Sequence, residues 1–356
     1  MKEIRAILTA YHKKAKTEKV ALATVVRVEG SSYRRMGARM LVSENGTWVG
    51  GISGGCLEGD ALKRARMAIL KERSSTITYD TSTDDHHQIG VGLGCNGIID
   101  VLFTPINDED KANPIAILEG IDKGPRKDHK LITITASSDA ALLGKLIPFI
   151  NLSDHTQLGK YQEVLGSLEK SKNIKLDPQF SVFVEILPPS LFLVFAGHQY
   201  DLPPLIRQTK ELGWDYKIVA AAGKTKDTNI LSKEQFKEMP FDSFTAVILM
   251  SHSLKTDKEN LISLLSKSIS YIGMLGPKVR ADRIFKEIEE EGHQIPDKLK
   301  ERIFAPTGLD IGATNPEEIA LSILAEIKTV FSNRSAQNLR DRQSPIHFRD
   351  QVMNFN

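Results

Sequence analysis

Cysteine occurs twice in this chain of 356 residues, and both thiols lie in glycine-rich runs. The first run, GGISGGCLEGD, spans residues 50–60 and carries Cys56; the second, GLGCNG, spans residues 92–97 and carries Cys95. Glycines beside a thiol remove side-chain bulk and allow positive φ, so backbone N–H groups and the sulfur can approach a ligand closely. A buried structural cysteine is the alternative, but two thiols in polar glycine runs predict the walls of one ligand site.

The spacing of these cysteines and the overall charge favour some classes of protein over others. Neither C-x-x-C nor a Cys/His finger spacing occurs, so zinc is the less favoured ligand. The N-terminus shows no apolar signal sequence, which predicts a reducing cytoplasm without structural disulfides. The net charge is only +2 and no apolar run approaches the ~20 residues of a membrane span. We therefore expect a soluble cytoplasmic protein with no nucleic-acid or membrane partner.

The elements around the first run would present it at the end of a strand and the start of a helix. Residues 58–71 have the apolar spacing of a helix, so the run enters a helix N-terminus, where N–H groups and the helix dipole favour an anion. Asn45-Gly46 indicates a hairpin. The remaining expectations for this half are a helix near 4–11, strands at 20–28, 39–42, 47–49, 75–79, 97–103 and 131–136, and a less regular segment at 146–181.

A proline-containing connector, residues 186–190, separates this half from a second one with a strand-helix-strand pattern. Strands are expected at 191–195, 216–221, 245–250 and 270–274, and helices at 203–212 and 279–291. A final helix begins at Pro316, which follows the capping residue Asn315. The fold class is therefore α/β, with an N-terminal α+β domain (1–187), a Rossmann-like doubly wound parallel sheet (191–332) and a polar arm (333–356).

The second half keeps only part of a dinucleotide-binding fingerprint. Gly197 fits the middle glycine, but Phe195 and Tyr200 stand at the flanking positions, and residues 220–223 replace the acid that binds a ribose. NAD(P) binding is therefore doubtful. The third glycine of the fingerprint lets the first helix pack closely on the sheet, and position 200 is its place in this chain. The ring of Tyr200 is therefore expected between this helix and the sheet.

Three side chains are expected at the carboxyl edge of this sheet, where open α/β sheets bind ligands. His198 and Asp201 follow its first strand, and His252 follows its third. One interpretation is that these side chains bind a ligand or transfer a proton. The other is that they only cap the strands or bind water.

Taken together, these strings resemble the XdhC/CoxI family, the accessory proteins of xanthine dehydrogenase and carbon monoxide dehydrogenase. The resemblance covers most of the chain. It rests on residues 30–35 (GSSYRR), 37–40 (GARM), 53–58 (SGGCLE), 94–97 (GCNG), 196–198 (AGH), His252, 271–276 (YIGMLG), 305–313 (APTGLDIGA) and the tail 339–347.

The resemblance implies an accessory factor, rather than a catalyst, that binds the molybdenum cofactor, protects its sulfurated form and delivers it to a xanthine dehydrogenase-type molybdenum hydroxylase. A cysteine desulfurase is a candidate second partner, and a homodimer is the default assembly.

The residues offer chemistry that suits such a ligand. Arginine side chains would meet phosphate or oxo groups, glycine N–H groups would donate, and Cys56, as the metal-proximal ligand, or Cys95 would supply sulfur. The arginines could equally form a solvated loop. The full candidate set is Arg34, Arg35, Arg39, Ser53, Gly54, Gly55, Cys56, Glu58, Cys95, Asn96, Gly197, His198, Asp201 and His252.

Two other functions stay open at this point. One is an NAD(P)-dependent oxidoreductase with the N-terminal part as substrate domain. The other is a scaffold that docks a hydroxylase without holding the cofactor. For the cofactor-binding function, the two domains are expected to enclose one ligand between them.

Overall fold

The computed structural model describes residues 1–30, 32–80, 97–221 and 223–343. Cys95 and Asn96 lie outside the described residues. The chain divides into two compact units, Met1–Pro189 and Ser190–Asn356. Each unit builds its own sheets and cores.

The first unit contains nine strands and five α-helices in its described residues, together with a 3₁₀ helix at Phe149–Asp154. In chain order they are α1 (Lys2–Lys13), β1 (Val20–Gly30), β2 (Arg39–Ser43), β3 (Trp48–Gly50), α2 (Glu58–Lys71), β4 (Ser75–Asp80), β5 (Gly97–Pro105), α3 (Pro114–Lys123), β6 (His129–Ala136), β7 (Leu146–Pro148), α4 (Thr156–Gly159), α5 (Gln162–Gly166), β8 (Lys172–Asp177) and β9 (Phe180–Leu187).

An antiparallel sheet of five strands, in the order β3-β2-β1-β5-β4, positions the first glycine-cysteine run. Helix α2 packs on it through small residues, because Ala61, Ala65 and Ala68 let the helix come close to Met40 and Phe103. The predicted helix at 58–71 is confirmed. The run therefore connects an edge strand to a helix that is fixed on the sheet.

A second antiparallel sheet, in the order β7-β6-β9-β8, takes up the two ends of the segment 146–181. The expectation of a less regular segment is wrong at both of these ends. In β8 the two exposed residues, Lys172 and Lys175, are three positions apart, whereas Val182 and Val184 of β9 are fully buried. Strand β8 therefore lacks a period of two, and lysine is depleted in strands, so its sequence is a weak strand signal.

The second unit is a six-stranded parallel sheet with helices on both faces. Its elements are β10 (Phe192–Ala196), α6 (Leu202–Leu212), β11 (Asp215–Val219), β12 (Ile230–Leu231), α7 (Lys233–Glu238), β13 (Thr245–Leu249), α8 (Leu254–Leu264), β14 (Tyr271–Met274), α9 (Lys278–Glu290), α10 (Asp297–Lys300), β15 (Ile303–Phe304) and α11 (Pro316–Phe331).

The strand order of this sheet, β12-β11-β10-β13-β14-β15, is 3-2-1-4-5-6 when the unit's own strands are counted, which is the order of dinucleotide-binding folds. The Rossmann-like prediction is confirmed. Strands β10 and β13 lie side by side at the point where the strand order reverses. Ligands of such sheets bind at the carboxyl ends of these two strands.

Local sequence signals account for the start of the last helix. The side chain of Asn315 accepts a hydrogen bond from the N–H of Glu318, and Pro316 occupies the first turn, as the sequence predicts. Among the helices of the described ranges, none has the length and apolar character needed to cross a membrane.

Candidate functional site

The first candidate site is the loop 51–57, between β3 and α2. It begins after Gly50, which adopts a φ of 87°. A Cβ at this position would lie 2.3 Å from the carbonyl oxygen of Arg39 on the neighbouring strand. Only glycine lets the chain leave the sheet edge at this point and turn toward α2.

Ser53 and Glu58 tie the loop to the first turn of α2. The backbone N–H of Ser53 donates to Glu58 Oε1 at 2.9 Å, and its hydroxyl donates to the other carboxylate oxygen. The same hydroxyl accepts hydrogen bonds from the N–H groups of Gly55 (3.2 Å) and Leu57 (3.1 Å). Burial raises the pKa of Glu58, but the hydrogen bonds from Ser53 outweigh it and hold this pKa below its usual range.

This arrangement changes two expectations for the loop. The N–H of Gly55 is used within the loop, so it does not face a ligand as expected. The carboxylates of Glu58 and Asp60 already lie in the first turn of α2, so the anion at this helix N-terminus is supplied by the protein itself.

Cys56 lies on the loop between the sheet's core and the surface. Its half-buried side chain packs against the apolar cluster formed by the five-stranded sheet and α2, as Val28 and Leu62 also do. On the same loop, a Cβ at Gly55 would meet nothing within 4 Å. The φ of Gly55 is 114°, a conformation in which any other residue type would be strained. The structure thus places a thiol next to an open stretch of glycine backbone.

The three arginines of the candidate set have different environments. Arg35 is exposed, and Arg34 forms an ion pair with Glu3 of α1. Arg39 is buried: its guanidinium pairs with both carboxylate oxygens of Glu185 on β9, and the two side chains are only 3% and 6% exposed. Arg39 also donates to the carbonyl oxygen of Gly37 at 2.8 Å.

This ion pair gives Arg39 a structural role that corrects its place among the anion-binding residues. It joins the five-stranded sheet to the four-stranded one, and both carboxylate oxygens of Glu185 are engaged. Gly37 makes room for it, because a Cβ there would lie 2.5 Å from Glu185 Oε1. Sequence alone did not point to Glu185.

Tyr33 is a further residue that the candidate set omits. Its side chain is 67% exposed, and its ring lies against Gly54 of the cysteine loop. The preceding residue, Ser32, is buried, and its hydroxyl has no hydrogen-bond partner among the described residues. The sequence signal that could have identified Tyr33 is an aromatic residue next to two arginines.

The second candidate site lies at the carboxyl edge of the parallel sheet, in the second unit. Gly197 follows β10, and a Cβ there would lie 2.3 Å from the carbonyl oxygen of Met250, so only glycine fits beside β13. His252 Nε2 lies 2.8 Å from Asp201 Oδ2. The carboxylate side chain is 7% exposed and the imidazole 48%. His198, half-buried, follows Gly197.

The structure therefore brings Asp201 and His252 together, as their positions at the strand ends predict. His252 adopts a positive φ of 59°, an uncommon conformation for a residue other than glycine. A buried carboxylate that holds one nitrogen of an imidazole fixes the ring's orientation and leaves the other nitrogen for a second partner. Such a pair can bind an anion or transfer a proton.

The start of α6 is unsuited to a pyrophosphate. Dinucleotide-binding folds place that group against free N–H groups at this helix N-terminus. Here Pro203 and Pro204 have no N–H, and Leu202 donates its own to the carbonyl oxygen of Gln199. Asp201 is the N-cap residue, but its carboxylate contacts His252 and makes no hydrogen bond to the N–H groups of the helix.

The two aromatic residues of the incomplete fingerprint take different positions. Phe195 is fully buried in the sheet's core. Tyr200 is 73% exposed, so the expectation that its ring stands between helix and sheet is wrong. The obstacle to a dinucleotide is the helix start rather than this tyrosine.

Two motifs of the second unit hold each other in place. Tyr271 stacks on Phe304, and its hydroxyl contacts Thr307 and Glu326. Glu326 also accepts the N–H of Gly308 at 3.0 Å. Burial and the Glu326 carboxylate raise the pKa of Tyr271, so it stays a neutral donor. Residues 271–276 and 305–313 therefore contain structural contacts.

In the part of the chain that the structure describes, no group of three His, Cys, Asp or Glu side chains is placed to hold a metal ion.

Models of one protein family match both units. The XdhC and CoxI family matches residues 14–80, and the XdhC Rossmann domain matches residues 191–327. The chain belongs to the XdhC/CoxI family.

Relatives of this family resemble the chain over most of its length. It is 27% identical over 325 residues to a protein of Bacillus subtilis described as a probable subunit of xanthine dehydrogenase, covering 87% of this chain and 92% of that protein. It is 23% identical over 310 residues to the "Molybdenum cofactor insertion chaperone PaoD" of Escherichia coli, covering 87% and 82%. A crystal structure described as a xanthine dehydrogenase from Bacillus halodurans superimposes with a TM-score of 0.74 at 27% identity, covering 94% of this chain and 97% of that one.

Proposed function

We propose that this protein binds the molybdenum cofactor and delivers it, in its sulfurated form, to a xanthine dehydrogenase-type molybdenum hydroxylase. The observation that carries the proposal is the half-buried Cys56 on a glycine loop fixed by Ser53 and Glu58. The similarity to a protein named a molybdenum cofactor insertion chaperone supports it.

The residues present fit one end of this cofactor. Thiolate sulfur is a ligand that soft metal centres prefer, and Cys56 offers one. The open backbone beside Gly55 leaves space for a bulky group next to the sulfur. Arg34 and Arg35, on the neighbouring loop, supply positive charge for a phosphate or for oxo groups.

When bound, the cofactor supplies the molybdenum centre with which a hydroxylase works. The residues of this chain hold it and orient it. Ser53 and Glu58 fix the loop conformation before the ligand arrives, so less ordering entropy is lost on binding. One thiol contact, rather than a closed set of protein ligands, suits a carrier that must also release its cargo.

The second unit has a polar pair of its own, Asp201 and His252, at the carboxyl edge of its sheet. An imidazole held by a buried carboxylate can donate to a phosphate or to a pterin oxygen. A cysteine desulfurase as source of the sulfur, and a homodimer as the assembly, complete the proposal.

The proposal is tested by co-expression in a molybdenum-replete host, followed by metal analysis and by fluorescence of the oxidised pterin. We expect the parent protein to retain molybdenum and pterin together. Cys56→Ser keeps the size of the side chain and removes the soft ligand, so it should retain less molybdenum and lose the sulfurated form sooner. Cys95→Ser is the matched variant of the other thiol.

A parent protein that purifies without pterin would contradict the proposed function. A Cys56→Ser variant that retains as much molybdenum as the parent, with an equal lifetime of the sulfurated form, would show that the thiol is structural. Loss only in Cys95→Ser would move the metal contact to the second run.

A further inference from the structure

The ring of Tyr33 is supported on one side by the cysteine loop. A Cβ at Gly54 would lie 3.2 Å from Tyr33 Cγ and 3.4 Å from both Cδ atoms. These nearly equal distances place Gly54 under the face of the ring, near Cγ. The contact is close, since even an alanine at position 54 would require the ring to give by a few tenths of an ångström.

The rest of this ring faces solvent. Tyr33 is 67% exposed, although large aromatic side chains usually bury most of their surface. A ring with one face on backbone and most of its surface in water offers the second face to a flat partner. Stacking on an aromatic side chain is a common way to bind a planar heterocycle.

The residue before Tyr33 adds an independent sign that this loop lacks a partner. Ser32 is buried, and its hydroxyl makes no hydrogen bond to any described residue. A buried hydroxyl without a partner is costly and uncommon in folded proteins. Arg34, the residue after Tyr33, forms an ion pair with Glu3, which anchors the loop on that side of the ring.

We infer that Tyr33 is a stacking platform for the planar pterin ring of the ligand, with Cys56 of the same glycine loop at the ligand's metal end. The inference rests on the proposed function. Gly54 lies two residues before Cys56, so the surface under the ring and the thiol belong to one short segment. An elongated ligand with a flat ring at one end and a soft metal at the other matches these two features.

The test separates stacking from metal binding by using a pterin without a metal. A soluble pterin carboxylate is titrated against the full-length protein, and its fluorescence is followed. Tyr33→Ala should weaken binding roughly tenfold, whereas Tyr33→Phe keeps the ring and should bind like the parent. Trp48→Ala is the control, since Trp48 is another exposed aromatic residue of this unit.

In the same titration Cys56→Ser should bind the metal-free pterin as well as the parent does, because the thiol acts on the metal end. Equal binding by parent and Tyr33→Ala would overturn the inference and leave the proposed function standing. If the parent binds neither the pterin probe nor the intact cofactor after co-expression, the proposed function itself fails. Equal losses in Tyr33→Ala and Trp48→Ala would also overturn the inference.

Discussion

Arg39→Ala should destabilise the first unit rather than act only on ligand binding. The substitution removes the guanidinium that pairs with Glu185 and donates to Gly37. The carboxylate of Glu185 then stays buried at 6% exposure without its cation. The two sheets of the unit would also lose one of the side chains that connect them.

The size of the effect follows from the burial. Removing one partner of a buried ion pair typically costs about 3–5 kcal/mol, because the other charge is left unpaired. A unit of this size loses about 2–4 °C of Tm per kcal/mol, so the expected decrease is roughly 6–20 °C. Replacing both side chains, as Arg39→Met with Glu185→Leu, should recover most of it, since no buried charge remains.

Fluorescence can follow this unit alone. The chain has two tryptophans, Trp48 in the first unit and Trp214 in the second. In a Trp214→Phe background, emission reports unfolding around Trp48 only. Lys19→Ala is the control: it removes an exposed ion pair with Glu72, so its Tm should match the background. An Arg39→Ala protein that keeps its Tm but loses the cofactor would refute the structural role and return Arg39 to the ligand site.

Three further outcomes are expected. Calorimetric titration with NAD and NADP should show no micromolar binding, because two prolines remove N–H groups from the helix start where a pyrophosphate would bind; micromolar affinity for either would contradict this. Gly197→Ala should lower the Tm of the second unit, since the new Cβ would lie 2.3 Å from the Met250 oxygen, and an unchanged Tm would mean that the strand end relaxes freely. Because Ser53 holds the pKa of Glu58 below its usual range, the stability from this contact is present above the unfolded pKa and is lost as pH falls through the lower folded value. Below about pH 4.5, the urea midpoint of Glu58→Gln should therefore fall less than that of the parent. If the two plots of midpoint against pH are parallel, Glu58 is not the cause of the acid destabilisation.

Local signals explain how much of the second unit could be predicted. A parallel strand that is covered on both faces is a continuous apolar run, as in Phe192–Ala196, and it is visible in a single sequence. Capping also acts within a few residues, so the helix that begins after Asn315 is predictable in the same way. The strands at 172–187 were missed because lysines and half-buried positions weaken the alternation on which such predictions depend.

The sequence also indicated which residue types could do chemistry, since cysteine and glycine runs are rare enough to stand out. It placed Asp201 and His252 at one sheet edge, because the carboxyl ends of neighbouring parallel strands meet there. Their hydrogen bond at 2.8 Å joins residues 51 positions apart and agrees with that placement.

Only the tertiary structure decided which partner each polar side chain takes. Arg39 is 146 positions from Glu185, and many carboxylates of the chain could have paired with it. The ring of Tyr33 rests on Gly54 because two separate loops come together, and neither loop contains a pattern that specifies the other. Periodicity and capping are properties of neighbouring residues. Pairing across sheets depends on the distances and burial that exist only after the chain has folded.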